Sequence, residues 1–316
     1  MNLAGWVPAQ IEWAAGGPVV SWCWLGEAPL TDPFYDNTID RAIGTPFNRL
    51  FTHRTGIDAL GRWHAESPGL EPSGLIFHMS RCGSTLVSRM LAALPDHLVV
   101  SEAGPLDGIA KAGRMDWLRW MVSALGQHRT GRESRYFIKF DSSTTLHLAL
   151  VREAYPDVPW IFVYRDPVEV LASHMNDPSA AMMRGVIGRG GLDLPPEEVT
   201  GMTDAEYRAR VLARLCETAV HELRQSGLPL NYVQLPDGVW GEVAAHFGMR
   251  LAEAETGAMK TVAQFHAKHP RSRFQPDEEC KRSGIAPEAR KAAERLVRPF
   301  YNGLETLRLR RSAGVP

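Results

Sequence analysis

Gly74-Leu-Ile-Phe-His-Met-Ser-Arg-Cys-Gly-Ser-Thr-Leu-Val-Ser-Arg-Met-Leu91 is the stretch that decides how this chain folds. The apolar run 75–77 reads as a buried strand, residues 78–83 as a short loop, and a helix begins near Ser84 with Leu86, Val87, Met90, Leu91 and Leu94 on its inner face. Strand, tight loop and helix N-terminus is how α/β proteins hold an anion: the leading N–H groups of the helix and its dipole converge on one point. Gly83 lets the backbone approach, Ser84 and Thr85 add hydroxyl donors, and Arg81 adds a fixed positive charge. The ATP- and GTP-binding loop reads G-x-x-x-x-G-K-[ST], with a lysine on the phosphates and a hydroxyl on Mg²⁺. Here Ser84 follows Gly83, and the basic residue precedes the glycine. The loop therefore suits a phosphate ester bound without obligatory Mg²⁺.

A second apolar, β-rich run, Trp160-Ile-Phe-Val-Tyr164, leads into Arg165-Asp-Pro-Val-Glu-Val-Leu-Ala-Ser173. Asp166 is a good N-cap, Pro167 suits the first helical position, and Glu169 is spaced to close a capping box. Arg165 then stands at a strand end and Ser173 about two turns into the next helix, so the two can grip a second phosphate. In the bland alternative Arg165 pairs with Asp166 or Glu169 and Ser173 faces solvent.

Together the two segments resemble the sulfotransferases that use 3′-phosphoadenosine 5′-phosphosulfate (PAPS). Ser80-Arg-Cys-Gly-Ser-Thr-Leu86 is similar to that family's 5′-phosphosulfate loop, and Tyr164-Arg-Asp-Pro-Val-Glu-Val-Leu-Ala-Ser173 to its 3′-phosphate motif. In motif style the likeness leans to the tyrosylprotein sulfotransferase and related bacterial branch. It spans roughly residues 74–250. Cys82 replaces the usual small residue, which is expected to matter little beyond sensitivity to oxidation. The resemblance implies a P-loop NTPase-like three-layer α/β/α fold with a central, mainly parallel sheet. It also implies PAPS as donor, 3′,5′-ADP as product and no metal. Arg81, Cys82, Gly83, Ser84, Thr85, Arg165 and Ser173 are then the PAPS-binding residues. Glu102, after the strand 98–100, matches the family's general base, and Lys139, near the end of the strand 136–141, its catalytic lysine on the sulfonate and leaving oxygen; Arg81 would share that charge. Asp141, two residues beyond Lys139, is the rival base. A sulfonate carries less charge than a γ-phosphate, so two cationic side chains can stand in for Mg²⁺.

The chain has 316 residues, 44% of them hydrophobic, enough for one large α/β domain or two small ones. A net charge of −1 gives no case for nonspecific nucleic-acid or membrane binding. Cys23, Cys82, Cys216 and Cys280 are scattered, without the spacing of a zinc site or a disulfide framework. No stretch reaches the length of a membrane span, and residues 1–6 lack the basic start and apolar core of a secretory signal, so a cytoplasmic location is expected.

Residues 1–73, rich in Trp, Gly and Pro, read as a small cap packed on a main domain 74–316, with strands at 11–13 and 19–24 and a short helix at 37–43. Helices are expected over 105–130, 147–154, 204–224, 239–247 and 287–309, and a strand at 231–235. The Met- and Gly-rich stretch within 174–203 has the softness of a loop beside a pocket. Lys268, Arg271 and Ser272, in a basic stretch 264–274, are candidates to close over the phosphates; the solvated basic loop is the alternative. His266 and His269 lack a third ligand, so no metal is expected. Any of the nine tryptophans could stack on adenine.

The reading is sulfonate transfer from PAPS, by in-line displacement with a carboxylate base, to a hydroxyl or amine of an acceptor that is a small molecule, glycan or peptide. The alternatives are a P-loop small-molecule kinase using Mg-ATP and a non-catalytic nucleotide-binding protein. Fold alone does not choose among them.

Overall fold

The structure, a computed structural model, describes residues 2–185, 195–268, 272–273 and 284–313. Two sheets organise it. The first is antiparallel, in the order β1 (Trp6–Ala14), β2 (Gly17–Trp24), β3 (His53–Gly56). Its register shifts between Pro8 and Gln10, where proline has no N–H to give the ladder. The buried Tyr35 hydroxyl donates to the Pro8 carbonyl at 2.7 Å, tying the hairpin to the helix Tyr35–Ile43.

The second sheet is parallel throughout and flanked by helices. Its strands are β4 (Pro72–His78), β5 (His97–Ser101), β6 (Arg135–Lys139), β7 (Trp160–Tyr164) and β8 (Leu228–Asn231), in the spatial order β5-β6-β4-β7-β8. Leu75, Ile76, Phe77, Phe137, Ile138 and residues 161–164 have no exposed surface. Such unbroken apolar runs are what a strand covered on both faces requires. The α/β architecture with a central parallel sheet that the resemblance implies is the one observed. The connection after β4 runs toward β5 and the one after β7 toward β8, in opposite directions across the sheet. Right-handed crossovers therefore send the two following helices to opposite faces. A crevice opens between β4 and β7 at their carboxyl ends, where open α/β sheets bind ligands.

Several elements differ in detail from the sequence reading. The helix expected over 105–130 is two helices, Gly104–Lys111 and Met115–Leu125, broken where Gly113 takes φ +68°. The strand expected at 231–235 ends instead at Asn231. Its side chain accepts from the Val233 N–H at 3.1 Å while Gln234 accepts from the Asn231 N–H at 2.9 Å, turning the chain into a 3₁₀ turn, Tyr232–Gln234. The last long helix carries a wide turn over Ala293–Val297 before Arg298–Ser312, because Pro299 cannot donate to the preceding turn. No helix among the described residues is long and apolar enough to cross a membrane.

Candidate functional site

The loop after β4 is held open by its backbone. Ser80 and Arg81 have φ +71° and +49°, and Gly83, which precedes the helix Ser84–Leu91, has φ +89°. Left-handed conformations at non-glycine residues are uncommon and persist where neighbours impose them. A Cβ at Gly83 would meet Leu235 Cδ1 at 2.6 Å and Tyr232 Cδ2 at 2.8 Å, so only glycine fits. Arg81, Cys82, Gly83, Ser84 and Thr85 all line one cavity of about 390 Å³. Cys82 is wholly buried, its thiol against the Val163 carbonyl at 3.0 Å, which removes the expected ready access to oxidants. The Arg81 guanidinium donates to Asp177, to Oδ2 at 2.5 Å and to the backbone carbonyl at 2.8 Å.

The turn after β7 opens onto the same cavity through Arg165 and Ser173. Asp166 caps the helix Pro167–Asn176, accepting from the Val168 N–H at 2.9 Å and the Glu169 N–H at 3.4 Å. Glu169 does not close a capping box. It accepts from Arg165 Nε at 2.5 Å, both side chains being buried, since a charged donor one turn away outcompetes a backbone N–H. Arg165 also stacks on the Tyr232 ring at 3.9 Å. The pairing entertained as the bland alternative is therefore present, and yet Arg165 and Ser173 both border the cavity.

Facing these turns is Glu102, just beyond β5, with φ +51°. Ser101 sits opposite Lys139 in the sheet register, which brings the Lys139 ammonium onto Glu102 Oε1. Lys139 has no exposed surface and does not line the cavity; the expectation that it contacts the transferring group directly is corrected to an ion pair behind the carboxylate. Burial alone would raise the Glu102 pKa, but the Lys139 ammonium and the His78 imidazole outweigh it and hold the carboxyl well below the usual range. Asp141 also lines the cavity, but its Oδ1 accepts from the Ser143 N–H at 2.8 Å and hydroxyl at 2.7 Å, as the cap of a short turn.

His78, the last residue of β4, is a functional candidate that sequence reading missed. It is buried, its Nδ1 accepts from the Ser80 N–H at 3.0 Å, and its Nε2 lies 3.0 Å from the Phe140 carbonyl and 3.2 Å from Glu102 Oε1. Burial and the Lys139 ammonium lower its pKa, contacts with Cys82 and Glu102 raise it, and the balance is upward. Protonating Nδ1 would nonetheless set two N–H groups against each other, so this loop geometry requires the neutral ring with its proton on Nε2. A histidine ending an otherwise apolar strand was the available signal.

From the C-terminal part, Phe265, His266, Ala267 and Lys268 line the cavity, held against the loop helix by Arg89, which donates to the carbonyls of His266 and Ala267 at 3.4 Å. Burial and the neighbouring Arg81 pull the Lys268 ammonium below the usual lysine value. Ser272 is exposed and lies outside the cavity lining, its backbone carbonyl accepting from the His266 N–H. Arg271, His269, Cys280 and residues 186–194 of the expected soft stretch lie outside the described residues. Among the described residues no tryptophan lines the cavity; its aromatic residues are Phe34, Tyr232 and Phe265. Phe34 comes from the N-terminal segment and lies under two ammonium groups, Lys139 at 5.3 Å and Lys268 at 5.6 Å. Nothing local in the sequence announces that contact. Among the described residues no three His, Cys, Asp or Glu side chains are grouped to hold a metal ion.

No protein-family model matches the chain, and no curated protein does. Among solved structures it is similar to a sulfotransferase from Mycobacterium avium, at 14% identity over 86% of this chain and 88% of that one, TM-score 0.47. It is also similar to a sulfotransferase from Alicyclobacillus acidocaldarius, at 15% identity over 76% and 96%, TM-score 0.44. A third is the sulfotransferase domain of the Synechococcus PCC 7002 olefin synthase, at 13% identity over 72% and 95%, TM-score 0.41. Likeness at this level says what the chain is similar to and carries no weight for its chemistry.

Proposed function

We propose that this protein transfers a sulfonate group from PAPS to a hydroxyl or amine acceptor. The observation that carries the reading is the meeting, in one cavity, of two strand-to-helix anion turns, those after β4 and β7, with the carboxylate of Glu102 facing them. Gly83, Ser84, Thr85, Arg81 and Lys268 take the 5′-phosphosulfate, Arg165 and Ser173 the 3′-phosphate, and Tyr232 or Phe265 a face of the adenine. Arg271 and Ser272, on the same basic stretch, add to the phosphate contacts when nucleotide binds. The cavity fits such a donor: it combines hydroxyls, fixed cations and aromatic faces, and Gly83 leaves room for close backbone approach. Residues 1–73 act as a cap that supplies Phe34 to the acceptor side.

Glu102 takes the acceptor proton as the acceptor oxygen or nitrogen attacks sulfur and the bond from sulfur to the bridging phosphate oxygen breaks in line. A carboxylate paired with Lys139 is a weak base. From behind Glu102 the Lys139 ammonium balances, through space, the negative charge that grows on the departing oxygen, which Arg81 and Lys268 meet directly. Arg81 leaves Asp177 for the phosphosulfate, at little cost because an exposed ion pair is worth only about 0–1 kcal/mol.

The test is a thermal-shift titration with 3′,5′-ADP against ADP and Mg-ATP, followed by release of sulfate from PAPS with water as acceptor. Ligand at about a hundredfold above Kd stabilises by roughly 2.7 kcal/mol, read as a shift of several degrees. A shift with 3′,5′-ADP alone supports the reading. A shift only with Mg-ATP replaces it with a kinase, and binding of 3′,5′-ADP without sulfate release leaves a nucleotide-binding protein.

A further inference from the structure

We infer that His78 is a positioning residue that ties the phosphate loop to the catalytic carboxylate through one imidazole ring. The inference rests on the proposed role of Glu102 and adds a residue that role does not use. Three non-glycine residues in the described chain have positive φ: Ser80, Arg81 and Glu102. His78 touches two of them. Its Nδ1 accepts the Ser80 N–H at 3.0 Å, and its Nε2 stands 3.2 Å from Glu102 Oε1. A backbone N–H can only donate, so Nδ1 must be the bare nitrogen and Nε2 must carry the proton. That single N–H is shared between Glu102 Oε1 and the Phe140 carbonyl at 3.0 Å. The ring cannot turn over without exchanging a donor for an acceptor at both ends. It is held in the cavity wall, 3% exposed, with its own carbonyl receiving the Thr145 hydroxyl at 3.5 Å. Loop conformation and carboxylate orientation are thus set by one rigid side chain. Lys139 supplies the charge on Glu102 and His78 its direction.

Two variants separate the two ends. His78→Asn places an amide oxygen where Nδ1 was and does not reach Glu102. His78→Gln places an amide nitrogen where Nε2 was and leaves the Ser80 N–H without its acceptor. The expected result is a crossed pattern: in His78→Asn, PAPS turnover with water falls about tenfold more than 3′,5′-ADP affinity, and in His78→Gln affinity falls about tenfold more than turnover. Equal losses of both quantities in both variants, or no loss in either, would overturn the inference. Nitrogen-15 spectra of the His78 ring in the full-length protein, with and without Glu102→Gln, read the tie without turnover. A bare Nδ1 with a protonated Nε2 whose resonance moves in Glu102→Gln supports it; a protonated Nδ1, or an Nε2 indifferent to Glu102, overturns it. Should the wild-type protein bind no 3′,5′-ADP, the sulfotransferase reading fails by itself, and these spectra still decide for or against the His78 tie.

Discussion

Glu102 and Lys139 meet twice: the Glu102 N–H donates to the Lys139 carbonyl at 2.6 Å, and the Lys139 ammonium closes on Glu102 Oε1. Adjacent parallel strands thus present a carboxylate to the cavity and a buried cation behind it. We predict that Glu102→Gln lowers PAPS turnover by about a hundred- to ten-thousandfold, while 3′,5′-ADP affinity changes little. Isothermal titration beside a sulfate-release assay checks both. Near-normal release would move the base to Asp141.

Lys139→Met removes the cation and leaves the partly buried carboxylate only the His78 N–H. Loss of one partner of a buried pair costs about 3 kcal/mol, measurable as a lowered urea midpoint. The sign of the pH effect follows from the pairing. Lys139 holds the Glu102 pKa down, so in the variant it rises, and any residual activity acquires an acid limb at higher pH than in the wild-type protein. An unchanged limb would mean that Lys139 does not act on Glu102.

Arg165 is packed between Glu169 and the Tyr232 ring. Arg165→Lys keeps the charge and loses the planar stack and the fork. It should weaken 3′,5′-ADP binding by about tenfold, the equivalent of roughly 1.4 kcal/mol, with a smaller change in melting temperature. Arg165→Ala additionally removes a charged partner from the buried Glu169 carboxylate and should be less stable than Arg165→Lys. Wild-type affinity in Arg165→Lys would remove Arg165 from the phosphate site.

Gly83→Ala has to force a side chain into the left-handed region and against Leu235 and Tyr232. Such strain is of order 1–3 kcal/mol, and it falls where nucleotide binds. We expect a folded protein, by circular dichroism, that no longer shifts its melting temperature with 3′,5′-ADP.

His174 has no exposed surface, and burial followed by the charges of Arg81 and Arg208 pushes its pKa down to about 3. The sign is that of a base buried neutral. Its stability contribution is fully present above the unfolded value near 6.5 and is lost as pH falls toward the folded value, because the unfolded chain takes up a proton the folded chain refuses. At pH 5.5 the loss is about 1.4 kcal/mol, one unit of pH below the unfolded pKa. Melting curves between pH 8 and 4 should therefore be flatter for His174→Asn than for the wild-type protein; parallel curves would show that another group sets the acid limb.

Both anion turns were legible in the sequence because everything that makes them is local. An apolar strand, Gly83 with its hydroxyl neighbours, and Asp166 followed by Pro167 each act within a few residues. The halt of β8 at Asn231 and the break at Gly113 were equally local signals, but longer apolar patterns masked them. His78 belongs with these: its place at a strand end could be read, whereas its two partners could not.

The order of residues alone determined a parallel α/β core and two strand-to-helix turns suited to anions, since these follow from hydrophobic period, capping and backbone freedom; the candidacy of Glu102 and Lys139 came from the family resemblance those turns carry. Only the tertiary structure decided which charges meet. It turned Lys139 onto Glu102 and out of the cavity, gave Arg165 to Glu169, and brought Phe34 beneath Lys139 and Lys268 from more than a hundred residues away. Register between strands and the packing of the N-terminal segment set those distances, and Coulomb interaction with burial sets protonation by distance, which spacing along the chain does not encode.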